Sequence, residues 1–86
     1  MSTRVFRTRH GRITLTDETL TYEPKDEPQR RASCARADIT EVRIVTYAYW
    51  FAPFWIDVVV HHRGGVLTIP RIGHRTARAL QKALGF

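Results

Sequence analysis

Apolar and polar residues alternate with a period of two along most of the chain, and the period lengthens to three and four only near the C-terminus. In GRITLTDETLTYEP, Ile13 and Leu15, then Leu20 and Tyr22, alternate with threonines around the polar turn Thr16-Asp17-Glu18-Thr19. Such spacing gives each half of a β-hairpin one apolar face and one polar, β-branched face. EPKDEPQ (23–29), with two prolines and four charges, predicts a solvent loop. RRASCAR (30–36) alternates weakly and turns Ala32 and Cys34 inward. In ITEVRIVTYAY, Val42, Ile44, Thr46 and Ala48 share one face and Arg43, Val45, Tyr47 and Tyr49 the other. Alternation resumes with Ile56, Val58 and Val60, and three consecutive valines favour strand over helix. Arg63-Gly64-Gly65 supplies positive-φ residues for a tight hairpin turn, and Pro70 ends the returning strand.

The last segment reads as a helix. Ala77, Leu80 and Leu84, with Ala83 beside them, form its apolar stripe, and Gly85 falls just past its end. The pattern as a whole predicts strands over about 3–9, 12–16, 19–23, 30–36, 39–49, 55–62 and 66–70, then a helix over about 73–84. The expected fold is mainly β: a barrel of about seven antiparallel strands capped by one amphipathic C-terminal helix. Neither a composition break nor an internal linker divides the chain, so residues 1–86 form a single domain.

The densest apolar block is IVTYAYWFAPFWIDVVV (44–60), and it has three readings: a membrane span, a buried helix, or two strands around an aromatic corner. A membrane-spanning helix needs about 20 apolar residues, whereas this block has 17 positions interrupted by Pro53 and Asp57. The corner reading fits the alternation best, with a loop at Pro53. Tyr49, Trp50, Phe51, Phe54 and Trp55 cluster there, and five rings within seven positions cannot all point inward on a two-residue period. Some of them fill the core and the remainder form an exposed aromatic surface, a candidate interface for a second copy or a protein partner. The corner contains no Lys or Arg, which favours protein contact over insertion into anionic lipid.

Charge adds a second theme. Fourteen basic against eight acidic residues give a net charge of +6, which suits an anionic partner, either anionic lipid or nucleic acid. The charge is blocked: Arg4, Arg7, Arg9 and Arg12 open the chain without an acid, and residues 61–86 carry five cations without one. Arg71, Arg75, Arg78 and Lys82, spaced three to four apart, are expected along one edge of the terminal helix, either as a solvated face or as an anion-binding one. A single cysteine excludes an internal disulfide and suits a reducing compartment. The N-terminus has no apolar run of a signal peptide, so the expected location is the cytoplasm, with peripheral membrane attachment if the partner is lipid.

Catalytic and metal chemistry find little footing. His61 and His62 are adjacent and point to opposite faces of a strand, which prevents joint chelation. Cys34, among small residues, reads as a packing residue, and Asp57 as a structural acid paired with an arginine such as Arg43. No general base, nucleophile or phosphate loop is legible, so neither an enzyme nor a cofactor is expected.

Three phrases resemble the bacterial pleckstrin-homology-like (PH-like, GRAM-like) domains: the opening hairpin GRITLTDETLTYEP, the segment Ala37-Asp38-Ile39-Thr40-Glu41-Val42 leading into the long middle strand, and DVVVHHRGGVLTIPRIGHRTARALQKAL at the close. That resemblance covers nearly the whole chain from residue 11 and rests on packing motifs. It implies seven strands, a C-terminal helix and a binding or assembly module without catalysis, whose ligand is phosphoinositide in some members and peptide in others. In lipid-binding members the basic residues cluster between the first two strands, which maps here onto TRHGR with Arg9, His10 and Arg12. The leading expectation is thus a self-associating or protein-binding module acting through the aromatic corner. The alternative is a basic barrel binding an anionic partner through Arg9, His10, Arg12, Arg71, Arg75, Arg78 and Lys82.

Overall fold

A computed structural model describes residues 3–46 and 56–86. Seven strands and a helix follow in order: β1 (Arg4–Arg7), β2 (Gly11–Leu15), β3 (Thr19–Pro24), β4 (Ala32–Ala35), β5 (Ile39–Thr46), β6 (Ile56–His62), β7 (Gly65–Ile72) and α1 (His74–Ala83). They form two antiparallel sheets, β1-β2-β3-β4 and β5-β6-β7, so the expected mainly β fold with a C-terminal helix is present. Among the described residues no hydrogen-bonded ladder joins the sheets, although β4 and β7 approach one another. The aromatic residues Tyr49, Trp50, Phe51, Phe54 and Trp55 lie outside the described residues.

The pairing register explains why the alternation has the phase it does. In the first sheet Phe6, Ile13, Tyr22 and Ala32 line up across four strands, and Leu15, Leu20 and Cys34 form the next row. In the second, Ile44, Val58 and Ile69 form one row and Val42, Val60 and Leu67 another. These rows face a single core, closed by Ala77, Leu80 and Leu84 of the helix segment. No polar or charged residue among those described is buried. Each sheet has one apolar face and α1 one apolar stripe, so joint burial of these surfaces is the main stabilising term.

Several boundaries differ from the sequence reading, each for a local reason. β1 stops at Arg7 because Thr8 N–H donates to Gly11 O (2.9 Å) and turns the chain back into β2. β4 stops at Ala35 because Arg36–Asp38 form a 3-10 turn that redirects the chain into β5. Within the expected loop, Pro28–Arg30 make another 3-10 turn. In the β6–β7 hairpin only Gly65 takes a positive φ (139°), and Gly64 N–H donates to His62 Nδ1 (3.2 Å). β7 continues through Pro70 to Ile72, which moves Arg71 off the helix and onto a strand. Gly85 ends the helix at φ 83°, as its sequence position predicts. No described helix is long and apolar enough to cross a membrane, an observation that does not extend to strands.

Two contacts fix the local geometry around the core. Gly11 is buried under Tyr22: a Cβ at this position would fall 2.6 Å from Glu23 O and 2.8 Å from the Tyr22 ring. Arg36 links three elements, its Nη1 donating to Thr16 O (3.0 Å) in the β2–β3 turn and its Nη2 to Ala83 O (3.0 Å) at the end of α1. A guanidinium there satisfies a helix-terminal carbonyl and opposes the negative end of the helix dipole. Gly11→Ala is expected to lower unfolding free energy by about 1–3 kcal/mol, because backbone and ring must both shift. Arg36→Met keeps the aliphatic stem and removes both hydrogen bonds; an expected loss of about 1–3 kcal/mol is measurable by urea denaturation, and an unchanged midpoint would refute the link.

Candidate anion-binding face at the first hairpin

Two concave surfaces flank the β1–β2 turn. The first, of about 470 Å³, is lined by Arg7, Thr8, Gly11, Arg12, Glu23 and Lys25. Its charge follows from hairpin register. Arg7 pairs directly with Arg12 across β1 and β2, so two guanidinium side chains leave the same face opposite one another. Arg12 in turn faces Glu23 across β2 and β3, with Arg12 Nη2 3.6 Å from Glu23 Oε2. Lys25 is held beside them by its backbone N–H, which donates to His10 O (2.8 Å). Three cations thus share the surface with one carboxylate. Like charges directly opposite on a sheet disfavour the pairing, and an anion placed between them removes that cost.

The second surface, a cleft of about 310 Å³, lies on the other side of the turn. Tyr22, Pro24 and Pro70 form its apolar walls, while His10, Arg30, Arg71, Asp26 and Glu27 supply its polar lining. Arg30 is engaged by Glu27, with Nε 2.7 Å from Oε2. Burial pushes the Tyr22 phenol above its ordinary pKa, so the ring meets the cleft as a neutral group.

The structure therefore brings together some of the candidate cations and separates others. His10 and Arg71, distant in sequence, line one cleft. Arg12 lies on the other surface, joined by Arg7 and Lys25, which the sequence reading had not selected. Arg9 sits in the turn between the two. Arg75, Arg78 and Lys82 are exposed along α1 and belong to neither lining, so the basic helix edge and the basic hairpin are separate features.

Arg71 is in an unusual backbone state. Ile56 pairs with Ile72 and Val58 with Ile69, so Pro70 and Arg71 together oppose Asp57 in a β-bulge. Arg71 has φ 50°, the left-handed region that costs a residue with a Cβ roughly 1–2 kcal/mol. Its N–H donates to Asp57 Oδ1 (3.0 Å), which holds the bulge. Asp57 thus accepts from the Arg71 backbone, while Arg43 lies against Glu41, Nε to Oε1 3.1 Å. Cys34 is buried, and burial first, then the negative charge of Asp38, push its thiol above the ordinary pKa. That environment keeps it a thiol, in line with packing. Among the described residues no cluster of three His, Cys, Asp or Glu is placed to hold a metal ion.

Comparison of the chain with protein-family models, with curated proteins and with solved structures finds no match.

The bulge yields a paired expectation. Arg71→Gly relieves the left-handed strain but adds unfolded-state entropy, so stability is expected within about 1 kcal/mol of wild type or above it. Asp57→Ala removes the acceptor that holds Arg71 N–H and is expected to cost about 1 kcal/mol, whereas Asp57→Asn retains an oxygen there and loses less. Thermal and urea melts of the three variants measure the order; Arg71→Gly proving the least stable would refute this account.

Proposed function

We propose that the chain is a PH-like, GRAM-like module that binds rather than catalyses, and that the face of its first hairpin takes an anionic group. The order of four strands, three strands and a terminal helix supports the PH-like reading, as does the single core that all of them share. The observation that carries the anion reading is the direct pairing of Arg7 with Arg12, with Lys25 on the same surface. A ligand bearing two or more negative oxygens, such as a phosphorylated headgroup, bridges two guanidinium groups with charge-assisted hydrogen bonds. The surface is open, which suits a group presented from a larger body such as a membrane or a polymer.

The test is a titration at low and at high salt with a soluble inositol trisphosphate and with vesicles containing phosphatidylserine. Wild type is expected to bind, with affinity falling as salt screens the exposed charges. Arg7→Gln and Arg12→Gln should each weaken binding at least tenfold. At low salt without ligand, Arg7→Gln should also stabilise the fold by about 0.2–1 kcal/mol, because it ends the repulsion across the hairpin. Wild type that binds neither probe at low salt, or an Arg12→Gln variant that binds unchanged, would overturn the anion reading.

A further inference from the structure

The outer edge of β5 has chemistry that the anion-binding face does not use. β5 is the edge strand of its sheet, and β6 is its only hydrogen-bonded partner among the described residues. It is eight residues long, ITEVRIVT, and contains neither the proline nor the lysine with which exposed edges are commonly protected. Its one irregularity, between Ile39 and Glu41, is confined to the first turn of the strand. Beyond that point Glu41, Arg43 and Val45 are exposed on the outer face, while Val42 is buried and Ile44 half-buried on the core side. Val45 retains 39% of its surface, so apolar surface is exposed on this strand beside the charges.

We propose that β5 pairs antiparallel with β5 of a second copy about a two-fold axis at Val42, making a continuous six-stranded sheet across a homodimer. Charge selects both the occupant and the register. A two-fold axis at Glu41 sets Glu41 against Glu41 of the partner copy, and an axis at Arg43 sets Arg43 against its own equivalent; each places like charges in contact. An axis at Val42 sets Glu41 opposite Arg43 and Arg43 opposite Glu41, with Val42 against Val42 and Thr40 against Ile44. Glu41 and Arg43 already lie 3.1 Å apart within one chain. Two copies in this register therefore place four alternating charges in a square on the outer face. An edge strand that complements itself in this way fits a second copy of the same strand, the isologous arrangement that closes a dimer and leaves no further edge for growth at that site. Main-chain hydrogen bonds supply the attraction, as in other strand additions, and the charges fix orientation. Glu41 and Arg43 lie on a different sheet from Arg7 and Arg12, so this inference stands or falls separately from the anion reading.

The experiment is solution mass by light scattering at physiological salt, over a range of protein concentration. Wild type is expected to approach twice the 10.0 kDa of one chain. Glu41→Arg places arginine opposite arginine, and Arg43→Glu places glutamate opposite glutamate, so each variant alone is expected to remain monomeric. Mixed in equal amounts, the two variants restore both opposite-charge pairs and should form a heterodimer of twice the single-chain mass. Both side chains are exposed, and a circular-dichroism melt of each variant verifies that it folds. A monomeric wild type at high concentration overturns the proposal. So does a dimer that survives both single substitutions, or a mixture in which neither variant finds the other.

Discussion

Each sheet of this protein is apolar on one face only, and the architecture follows from having to bury those two faces in one core. The rows Phe6–Ile13–Tyr22–Ala32 and Val42–Val60–Leu67 belong to different sheets, yet both close on the same cluster. A single two-sided layer of this size would leave half its apolar residues in water, and an 86-residue chain has few to spare. The helix completes the enclosure with three side chains, Ala77, Leu80 and Leu84, which is why its remaining surface is free to be basic. Because the described core buries no residue of polar or charged type, its packing is largely non-directional and does not by itself fix the angle at which the layers meet.

Directional contacts at the edges of the core supply geometry that apolar packing leaves loose. Arg36 sits at the corner between the two sheets and donates to the β2–β3 turn and to the helix end, so one side chain locates three elements relative to one another. Gly11 removes a side chain where the Tyr22 ring crosses the hairpin. Asp57 holds the bulge that lets β7 pass through Pro70 without losing its pairing at Ile72. All three act on the backbone, through a carbonyl, a missing Cβ and an amide respectively. Each gives a segment beside the core a defined local geometry.

Much of the fold was legible in the alternation, because a period of two with one buried face leaves little choice of phase. Ile13, Leu20, Val58 and Leu80 fall inside as their spacing demands. What the alternation could not give is register, since pairing partners depend on where each turn falls. Hence Arg12 was selected as a candidate without Arg7, although the Thr8–Gly11 turn makes the two direct partners. Folding 4–7 back onto 12–15 around that turn would have found the pair. The bulge was hidden for a related reason: Pro70 signals the end of a ladder, and only the carboxylate of Asp57, thirteen residues earlier, permits the strand to continue. Arg71 was consequently read as the start of a basic helix edge that in fact begins beyond Gly73.

Register also determines what the exposed charges of this chain can do. Arg7 and Arg12 are direct neighbours of like sign inside one hairpin, so their repulsion is built into the monomer and a bound anion is the natural relief. Glu41 and Arg43 are neighbours of opposite sign on a strand that has one ladder partner among the described residues, so their attraction is available to whatever presents the same two charges in reverse order. Antiparallel pairing of a strand with itself reverses the order by symmetry. Added salt acts on the two features with opposite sign, easing the first and weakening the second, although both include arginines on exposed strands. Net charge alone, at +6, describes them as one property; the strand register separates them into the surface proposed for a ligand and the edge proposed for a second copy.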